Sequence, residues 1–545
     1  MSLPSELRDR AFRWMADDPD PETKLELQRV VAAAMGGAPG AVDELADRMN
    51  GTLSFGTAGL RGPVRAGSNG MNRAVVVRAT AGVASWLRHK GHAGGTVVVG
   101  RDARHGSAEF ATAAAEVLAA AGLTVRTLGP LPTPVTAFLV RSLGAVAGIQ
   151  ITASHNPPAD NGYKVYTDDG SQIVPPDDRL IEAAIGASPA ARSVPLSHGA
   201  LPVSDAQVDT YLARAASLPR GTARALRVVL TPMHGVGGAT ALEALRRAGF
   251  PDVTLVPEQA SPDPDFPTVD FPNPEEPGAA DLLLQHAATL DADLAVALDP
   301  DADRCALGVR FPDGWRMLRG DETGALLGAH VLSTLDRVAH PDPLVATTIV
   351  SSSLLSLIAA AHGVRHAETL TGFKWLVRAG EGLVFAYEEA LGLCVDPEAV
   401  RDKDGISAAI LACDLAATRT ASGRTLPDAL DELAVAHGVH LTEQISLRFT
   451  DIAGIPPLLA ALRAHPPTTL GGAAVTQDNP APDIVRLRAD GLRVVIRPSG
   501  TEPKVKAYLE IVEPVPAAAS LSQARATATR RMTALRDEVA ALLKA

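Results

Sequence analysis

Short, largely apolar runs recur along this chain, each ending in a polar loop and followed by a stretch of helical periodicity. Ala145-Val146-Ala147-Gly148-Ile149-Gln150-Ile151 runs into Thr152-Ala153-Ser154-His155-Asn156-Pro157. Leu294–Leu298 runs into Asp299-Pro300-Asp301-Ala302-Asp303-Arg304. Such runs, bounded by turn residues, read as strands buried on both faces, the habit of parallel sheets.

The pattern repeats at domain size. A first unit predicts a strand at Thr96–Val99, a polar loop Gly100-Arg101-Asp102-Ala103-Arg104, an Ala-rich helix around 107–121 and a strand at Leu123–Leu128. A Pro-rich turn, a helix and the strand ending at Ser154 complete it. A second unit predicts strands at Arg227–Leu230 and Val253–Val256, then a Pro-rich loop, a helix and the strand ending at Asp299. A third predicts strands at Leu344–Ile349, Val364–Glu368 and Leu383–Phe385, the last ending at Tyr387-Glu388-Glu389. Strands alternating with helices imply an α/β class with parallel or mixed sheets. If the three modules pack with corresponding strand ends inward, Ser154, Asp299 and Glu388 share one cleft.

The ends of the chain differ. Residues 1–50 read as a helical extension, with Thr23 to Glu26 as a capping box. Residues 436–545 read as an α+β domain: strand-like runs at His440–Phe449, Ile484–Leu487, Leu492–Ile496 and Lys506–Val512, then a terminal amphipathic helix. The expected division is 1–50, 51–200, 201–315, 316–435 and 436–545, with linkers near 188–206, 311–317 and 432–440.

Composition narrows the partners. The chain has 545 residues, 46% of them hydrophobic, and a formal net charge of −12. That balance argues against nucleic acid as a partner, although it leaves room for a local basic pocket that takes anionic small molecules. No run is long and apolar enough to predict a membrane span, and no apolar stretch at the N-terminus predicts a signal peptide. The three cysteines have no metal-type spacing, which suits a reducing cytoplasm. Eight of the 50 basic residues are lysine, and Lys164, Lys374, Lys403, Lys504 and Lys506 all lie in polar loop motifs. An ammonium can give up its proton where a guanidinium cannot, so lysine kept against this bias points to proton transfer or a compact charge.

The loops carry the chemistry. Asp299, Asp301 and Asp303 alternate, so a tight turn brings three carboxylates to one point, and a hard divalent cation relieves their repulsion. A calcium EF-hand is excluded, because it needs glycine where Arg304 stands and glutamate where Arg310 stands. Ser154 does not sit in the Gly-x-Ser-x-Gly pattern of a hydrolase elbow, since Asn156 replaces the second glycine. His155 is a base or a backbone orienter. Lys164, in a turn-then-strand reading that folds back over Ser154, is a candidate acid or base. Arg497-Pro498-Ser499-Gly500-Thr501 gathers a guanidinium, two hydroxyls and a glycine backbone, a good phosphate cradle to which Lys504 and Lys506 add charge. Phe55-Gly56-Thr57-Ala58-Gly59-Leu60-Arg61-Gly62 is a second Gly-rich run ending in arginine, and Glu388 with Glu389 suits sugar hydroxyls.

Together these motifs resemble the α-D-phosphohexomutase superfamily, the phosphoglucomutases and phosphomannomutases, over roughly residues 50 to 512. Thr152–Pro157 looks like the family's phosphoserine loop, Asp299–Arg304 its Mg²⁺ loop, Glu388 with Glu389 its sugar-recognition loop and Arg497–Thr501 its phosphate-binding loop. The resemblance implies three similar mixed-sheet α/β domains and a C-terminal α+β domain around a central cleft. It implies a hexose 1-phosphate/6-phosphate mutase, acting on glucose or mannose through a phosphorylated Ser154 and a bisphosphate intermediate. Ser154, Asp299, Asp301 and Asp303 would hold Mg²⁺, and a sugar 1,6-bisphosphate or pentose bisphosphate would be the activator. Ser154, His155, Lys164 and Arg61 are the expected catalytic residues. Arg304, Thr371, Gly372, Lys374, Glu388, Glu389, Arg497, Ser499, Gly500, Thr501 and Lys506 are expected to bind substrate. A cytoplasmic monomer or homodimer is expected.

One departure bears on the substrate. Many hexose mutases have serine two residues after the first sugar-binding glutamate, and Ala390 stands there. With Thr369-Leu370-Thr371-Gly372-Phe373-Lys374-Trp375, this variant is similar to a branch that includes phosphopentomutases and hexose-bisphosphate synthases. A phosphopentomutase is therefore the alternative, ahead of a sugar-phosphate phosphatase with water as acceptor.

Overall fold

Apolar strands with polar loops at their ends build four sheets of four or more strands, with helices packed on them, and one two-stranded ribbon among the described residues. The computed structural model describes residues 3–53, 59–449, 452–498 and 504–544. Ser499, Gly500, Thr501 and most of the first Gly-rich run therefore lie outside the described residues. Contacts divide the chain into two compact units, Met1–Leu318 with Gly392–Thr418, and Arg319–Leu391 with Arg419–Ala545.

The first unit opens with helices α1 (Ser5–Asp17), α2 (Pro21–Met35) and α3 (Ala41–Arg48). Their buried Leu7, Trp14, Leu27 and Leu45 join one apolar core with Val83, Leu118 and Ile149. The cap of α2 is not the expected Thr23–Glu26 box. Asp20 accepts the Glu22 amide at 2.9 Å and Pro21 opens the helix, so the helix begins before Thr23, whose hydroxyl turns to Asp18 instead.

The first sheet comprises β1 (Leu60–Pro63), β2 (Thr96–Arg101), β3 (Thr124–Pro130), β4 (Ala147–Ile151), β5 (Asp160–Thr167) and β6 (Leu201–Pro202), in the order β1-β5-β4-β2-β3-β6. Strands β2, β3 and β4 are parallel, and every residue of β4 is buried. The chain then turns back, so that β5 runs antiparallel to β4 with Lys164 opposite Gln150. The next strand out, β1, places Arg61 opposite Gly162.

The second sheet repeats this arrangement. It comprises β7 (Val228–Thr231), β8 (Val253–Leu255), β9 (Leu294–Leu298), β10 (Cys305–Phe311) and β11 (Gly314–Met317), in the order β11-β10-β9-β7-β8. Parallel β9 is again buried throughout, and antiparallel β10 returns beside it with Cys305 opposite Leu298. Both sheets thus end a buried parallel strand in a reversing loop, the seryl loop in one and the aspartate loop in the other.

In the second unit β12 (Leu344–Thr348) runs parallel to both β13 (Arg365–Thr369) and β14 (Leu383–Glu388). Further on, strands Val439–Arg448, Lys504–Glu513, Leu492–Pro498, Val485–Ala489 and Thr476–Asp478 form an antiparallel sheet in that order. Helix Leu521–Leu542 shares its core through Ala524, Ala528, Met532, Leu535 and Val539.

Two of the three expected linkers are regular structure, and the third, 188–206, is mostly irregular chain. Residues 311–317 form the β10–β11 hairpin, because Gly314 adopts a positive φ of 129° that a tight reversal needs. Helix Leu426–His437 and the strand from Val439 occupy 432–440. Within 188–206 lie a 3₁₀ turn, the two-residue β6 and the start of helix Asp205–Ala216.

Candidate active site

The seryl loop follows β4 because the buried strand can continue only to the edge of its sheet, where the chain must reverse. Ser154 takes a left-handed φ of 53°, and its amide donates to the Thr152 hydroxyl at 2.9 Å. Its Oγ donates to Asp299 Oδ2 at 2.7 Å and lies 3.2 Å from His155 Nδ1. Ser154 is 2% exposed, so the hydroxyl is fixed rather than free in solvent.

The aspartate loop turns tightly through Ala302, whose φ is 55°, and carries its three carboxylates to one point. Asp299, Asp301 and Asp303 are each 0% exposed and offer oxygens within 4.8 Å of one another. Two carboxylates about 4 Å apart repel by roughly 4 kcal/mol even at an effective dielectric near 20, so the cluster needs cations. Lys164 supplies one: Nζ donates to Asp301 Oδ2 at 2.7 Å and to Asp303 Oδ2 at 2.8 Å. Lys403 adds another, 3.3 Å from Asp303. The Arg304 amide donates to Asp299 Oδ1 at 3.0 Å and the Thr133 hydroxyl to Asp301 Oδ2 at 2.6 Å.

Charge is distributed unevenly across the triad. Burial and the two neighbouring carboxylates push Asp299 well above the usual carboxylate range. Burial also works against charge on Asp301 and Asp303, but Lys164 together with an Asp299 hydrogen bond at Asp301, and with Lys403 and Arg304 at Asp303, brings both below that range. Burial lowers Lys164 less than the two aspartates raise it, so it holds its proton more tightly than an ordinary lysine. His155 is driven the other way, by burial and then by Arg304 and Arg61, and is a neutral imidazole. Arg61 reaches the same loop, with Nη1 donating to Asn156 Oδ1 at 3.0 Å.

The triad fits a hard divalent cation. Asp301 Oδ1 and Asp303 Oδ1 are buried and have no hydrogen-bond partner among the described residues, and the three carboxylates offer an all-oxygen donor set.

The other expected residues belong to the second unit. Glu388 closes β14. The adjacent Glu389 is held from within its own unit: Oε2 accepts from Thr348 Oγ1 at 3.1 Å and Ser351 Oγ at 3.0 Å, and burial followed by Asp321 raises its pKa. Gly372, with φ 110°, starts the short helix Phe373–Leu376, which buries Lys374 with its ammonium 5.7 Å from the Trp375 ring; Thr371 beside it is half-buried. Arg497, next to last in strand Leu492–Pro498, donates from Nη2 to the Tyr508 hydroxyl at 3.3 Å, and it lowers the pKa of Glu389. Lys506 donates to Gln444 at 3.4 Å across an antiparallel pair.

Three side chains at the seryl and aspartate loops were not expected there: Thr133, Lys403 and Arg104. Arg104 is 4% exposed and binds four carbonyls of the seryl loop. Its polar loop was visible in sequence, but nothing there gave the adjacency of β2 and β4 that carries it to Ser154.

A serine hydroxyl held against a buried carboxylate triad is what the fold and this geometry define. Four family models match in chain order: phosphoglucomutase/phosphomannomutase alpha/beta/alpha domains I (52–191), II (209–310) and III (319–436), and the C-terminal domain (471–528). A probable phosphomannomutase of Haemophilus influenzae is 41% identical over 81% of this chain and 93% of its own. A probable phosphoribomutase of Schizosaccharomyces pombe is 34% identical over 92% of this chain and 93% of its own. The solved structure of a phosphoglucomutase/phosphomannomutase family protein from Burkholderia thailandensis shares the fold, with TM-score 0.68 and 23% identity over 89% of this chain and 97% of its own. The chain belongs to the phosphoglucomutase/phosphomannomutase family, within the α-D-phosphohexomutase superfamily. It is a phosphosugar mutase, an isomerase that works by intramolecular phosphotransfer. Among the described residues no helix is long and apolar enough to cross a membrane.

Proposed function

We propose that this mutase interconverts hexose 1-phosphate and hexose 6-phosphate through a phosphorylated Ser154 and a sugar bisphosphate. The observation that carries the reading is the buried Ser154 hydroxyl 2.7 Å from Asp299, at the edge of a carboxylate triad two of whose oxygens have no hydrogen-bond partner among the described residues. Asp299, Asp301, Asp303 and an oxygen on Ser154 would hold Mg²⁺, which when bound draws negative charge from the phosphoryl group.

The chain's own residues do the rest. Glu388 holds ring hydroxyls while Arg497, with Ser499 and Thr501, binds the substrate's own phosphate. The free sugar hydroxyl forms a bond to the phosphorus on Ser154 as the serine Oγ–phosphorus bond breaks, giving the bisphosphate. The sugar hydroxyl's proton goes to a neutral base and one proton returns to the serine oxygen as its bond to phosphorus breaks; His155, held neutral and 3.2 Å from Ser154 Oγ, would carry that exchange. Lys164 keeps its proton and supplies charge, as do Arg61 and Arg304. The bisphosphate reorients, and Ser154 takes back the other phosphoryl group. Positioning and electrostatics suffice for such a transfer.

Pentose phosphates form the second reading. Ala390 removes a hydroxyl from the sugar loop, and the relative named a probable phosphoribomutase aligns over nearly the whole chain. One assay tests both readings: turnover of glucose 1-phosphate, mannose 1-phosphate and ribose 1-phosphate side by side, with Mg²⁺ and a trace of the matching bisphosphate. Hexose turnover well above pentose is expected, and dominant pentose turnover replaces the hexose reading. Ser154→Ala abolishes turnover and leaves the circular dichroism spectrum unchanged; activity retained in that variant would falsify the phosphoserine role.

A further inference from the structure

One buried cation at the seryl loop has no part in the chemistry above. Arg104 stands in the loop after β2, and all four of its terminal N–H groups meet backbone carbonyls. Nη2 donates to Ser154 O at 2.7 Å and Asn156 O at 2.6 Å, and Nη1 to Pro157 O at 2.8 Å and Asp160 O at 3.2 Å. Asp102 balances the charge, with Oδ2 3.5 Å from Nε, and is itself tied to the Arg104 amide and the Ser107 hydroxyl. The Phe266 ring lies 4.9 Å from the guanidinium carbon. Phe266 is 2% exposed and takes a φ of 48° in the Pro-rich segment of the second sheet's domain.

We propose that Arg104 is a positioning residue for phosphoryl transfer at Ser154: its guanidinium gathers the carbonyls of the seryl loop onto one point and so aims Oγ at Asp299. The loop needs such an agent. Its carbonyl oxygens converge and repel, and a non-glycine residue in the left-handed region persists only where its surroundings over-determine it. A planar fork with fixed donors satisfies four acceptors in one geometry, whereas a lysine has three donors on a flexible stem and cannot. Arg104 spends its four terminal N–H groups on backbone carbonyls beside Ser154, so on this proposal losing it misaims the serine without weakening sugar binding.

The inference rests on Ser154 being the phosphoryl acceptor, and the test separates the two. Single-turnover capture of phosphate on Ser154 is followed by intact mass, with glucose 1,6-bisphosphate and ribose 1,5-bisphosphate as donors. Wild type that captures from neither sinks the Ser154 reading and the inference with it. With wild type competent, Arg104→Ala and Arg104→Lys are expected to slow capture about 100-fold, the scale of an ångström's misplacement. In steady state their KM for the sugar phosphate turned over stays within about threefold of wild type, uniform binding being intact. Guanidinium chloride at millimolar concentration restores the Ala variant and urea at equal concentration does not. Capture at the wild-type rate, KM rising in step with the loss, or no guanidinium rescue in a folded Ala variant would each overturn the proposal. If the Ala variant does not fold, Arg104→Lys at the wild-type rate overturns it equally.

Discussion

Lys164 shows how one residue can stabilise a site and compete for it. Its ammonium donates to the same two aspartates that would hold a cation, so folding without metal depends on it. Removing one partner of a buried ion pair costs about 3 kcal/mol or more, because the other charge is left uncompensated. Lys164→Met should therefore melt several degrees below wild type in chelator, with Mg²⁺ raising its Tm more than it raises that of wild type. Differential scanning calorimetry with and without Mg²⁺ checks this. An Mg²⁺ shift no larger than that of wild type would show that Lys164 and the cation do not share those oxygens. Asp301→Asn should abolish Mg²⁺ binding in titration calorimetry together with turnover. Turnover lost with metal binding intact would remove Asp301 from the cation site.

At the scale of an element, Glu510 ties the C-terminal antiparallel sheet to the loop after β12. On strand Lys504–Glu513 it accepts from Ser352 Oγ at 2.7 Å and the Ser353 amide at 2.8 Å, and it pairs with Arg493 at 2.9 Å. Burial pushes its pKa up, but Arg493, His440 and Ser352 outweigh burial and hold it at about 2. A carboxylate whose folded pKa lies below its unfolded value stabilises above the unfolded pKa, near 4.5, and that stability drains away as pH falls toward 2. Glu510→Gln should cost about 3 kcal/mol at neutral pH and make stability less dependent on pH between those two values. Denaturant melts of both proteins across that range measure it, and parallel curves would show that Glu510 is not the titrating group.

For the whole molecule, the division into two units places every residue of the Ser154–triad cluster in one of them. Ser154, Lys164, the triad, Arg61, Arg104 and Lys403 all fall within Met1–Leu318 and Gly392–Thr418. Metal binding should therefore stabilise that unit directly. Hydrogen exchange is expected to slow at residues 152–164 and 299–304 on adding Mg²⁺, with little change in strands Val485–Ala489 and Leu492–Pro498. Equal protection in both regions would place the cation's effect elsewhere.

Chemistry packed into contiguous loops was legible in the sequence. The alternating aspartates, the serine after an apolar strand and the three α/β repeats are local patterns, because strand burial and loop position leave a mark on every residue they involve. The family followed from four such loops in order. Tertiary structure alone decided which side chains converge on those loops. Lys164 reaches the triad because β5 doubles back beside β4, and Arg104 reaches Ser154 because β2 is the other neighbour of β4. Thr133 and Lys403 likewise arrive from separate points in the chain. Hairpin β10–β11 and the Asp20 cap escaped for a related reason: a polar stretch reads alike as linker or as structure until its backbone partners are known. Sequence records what each residue offers, whereas pairing between distant strands determines what it meets.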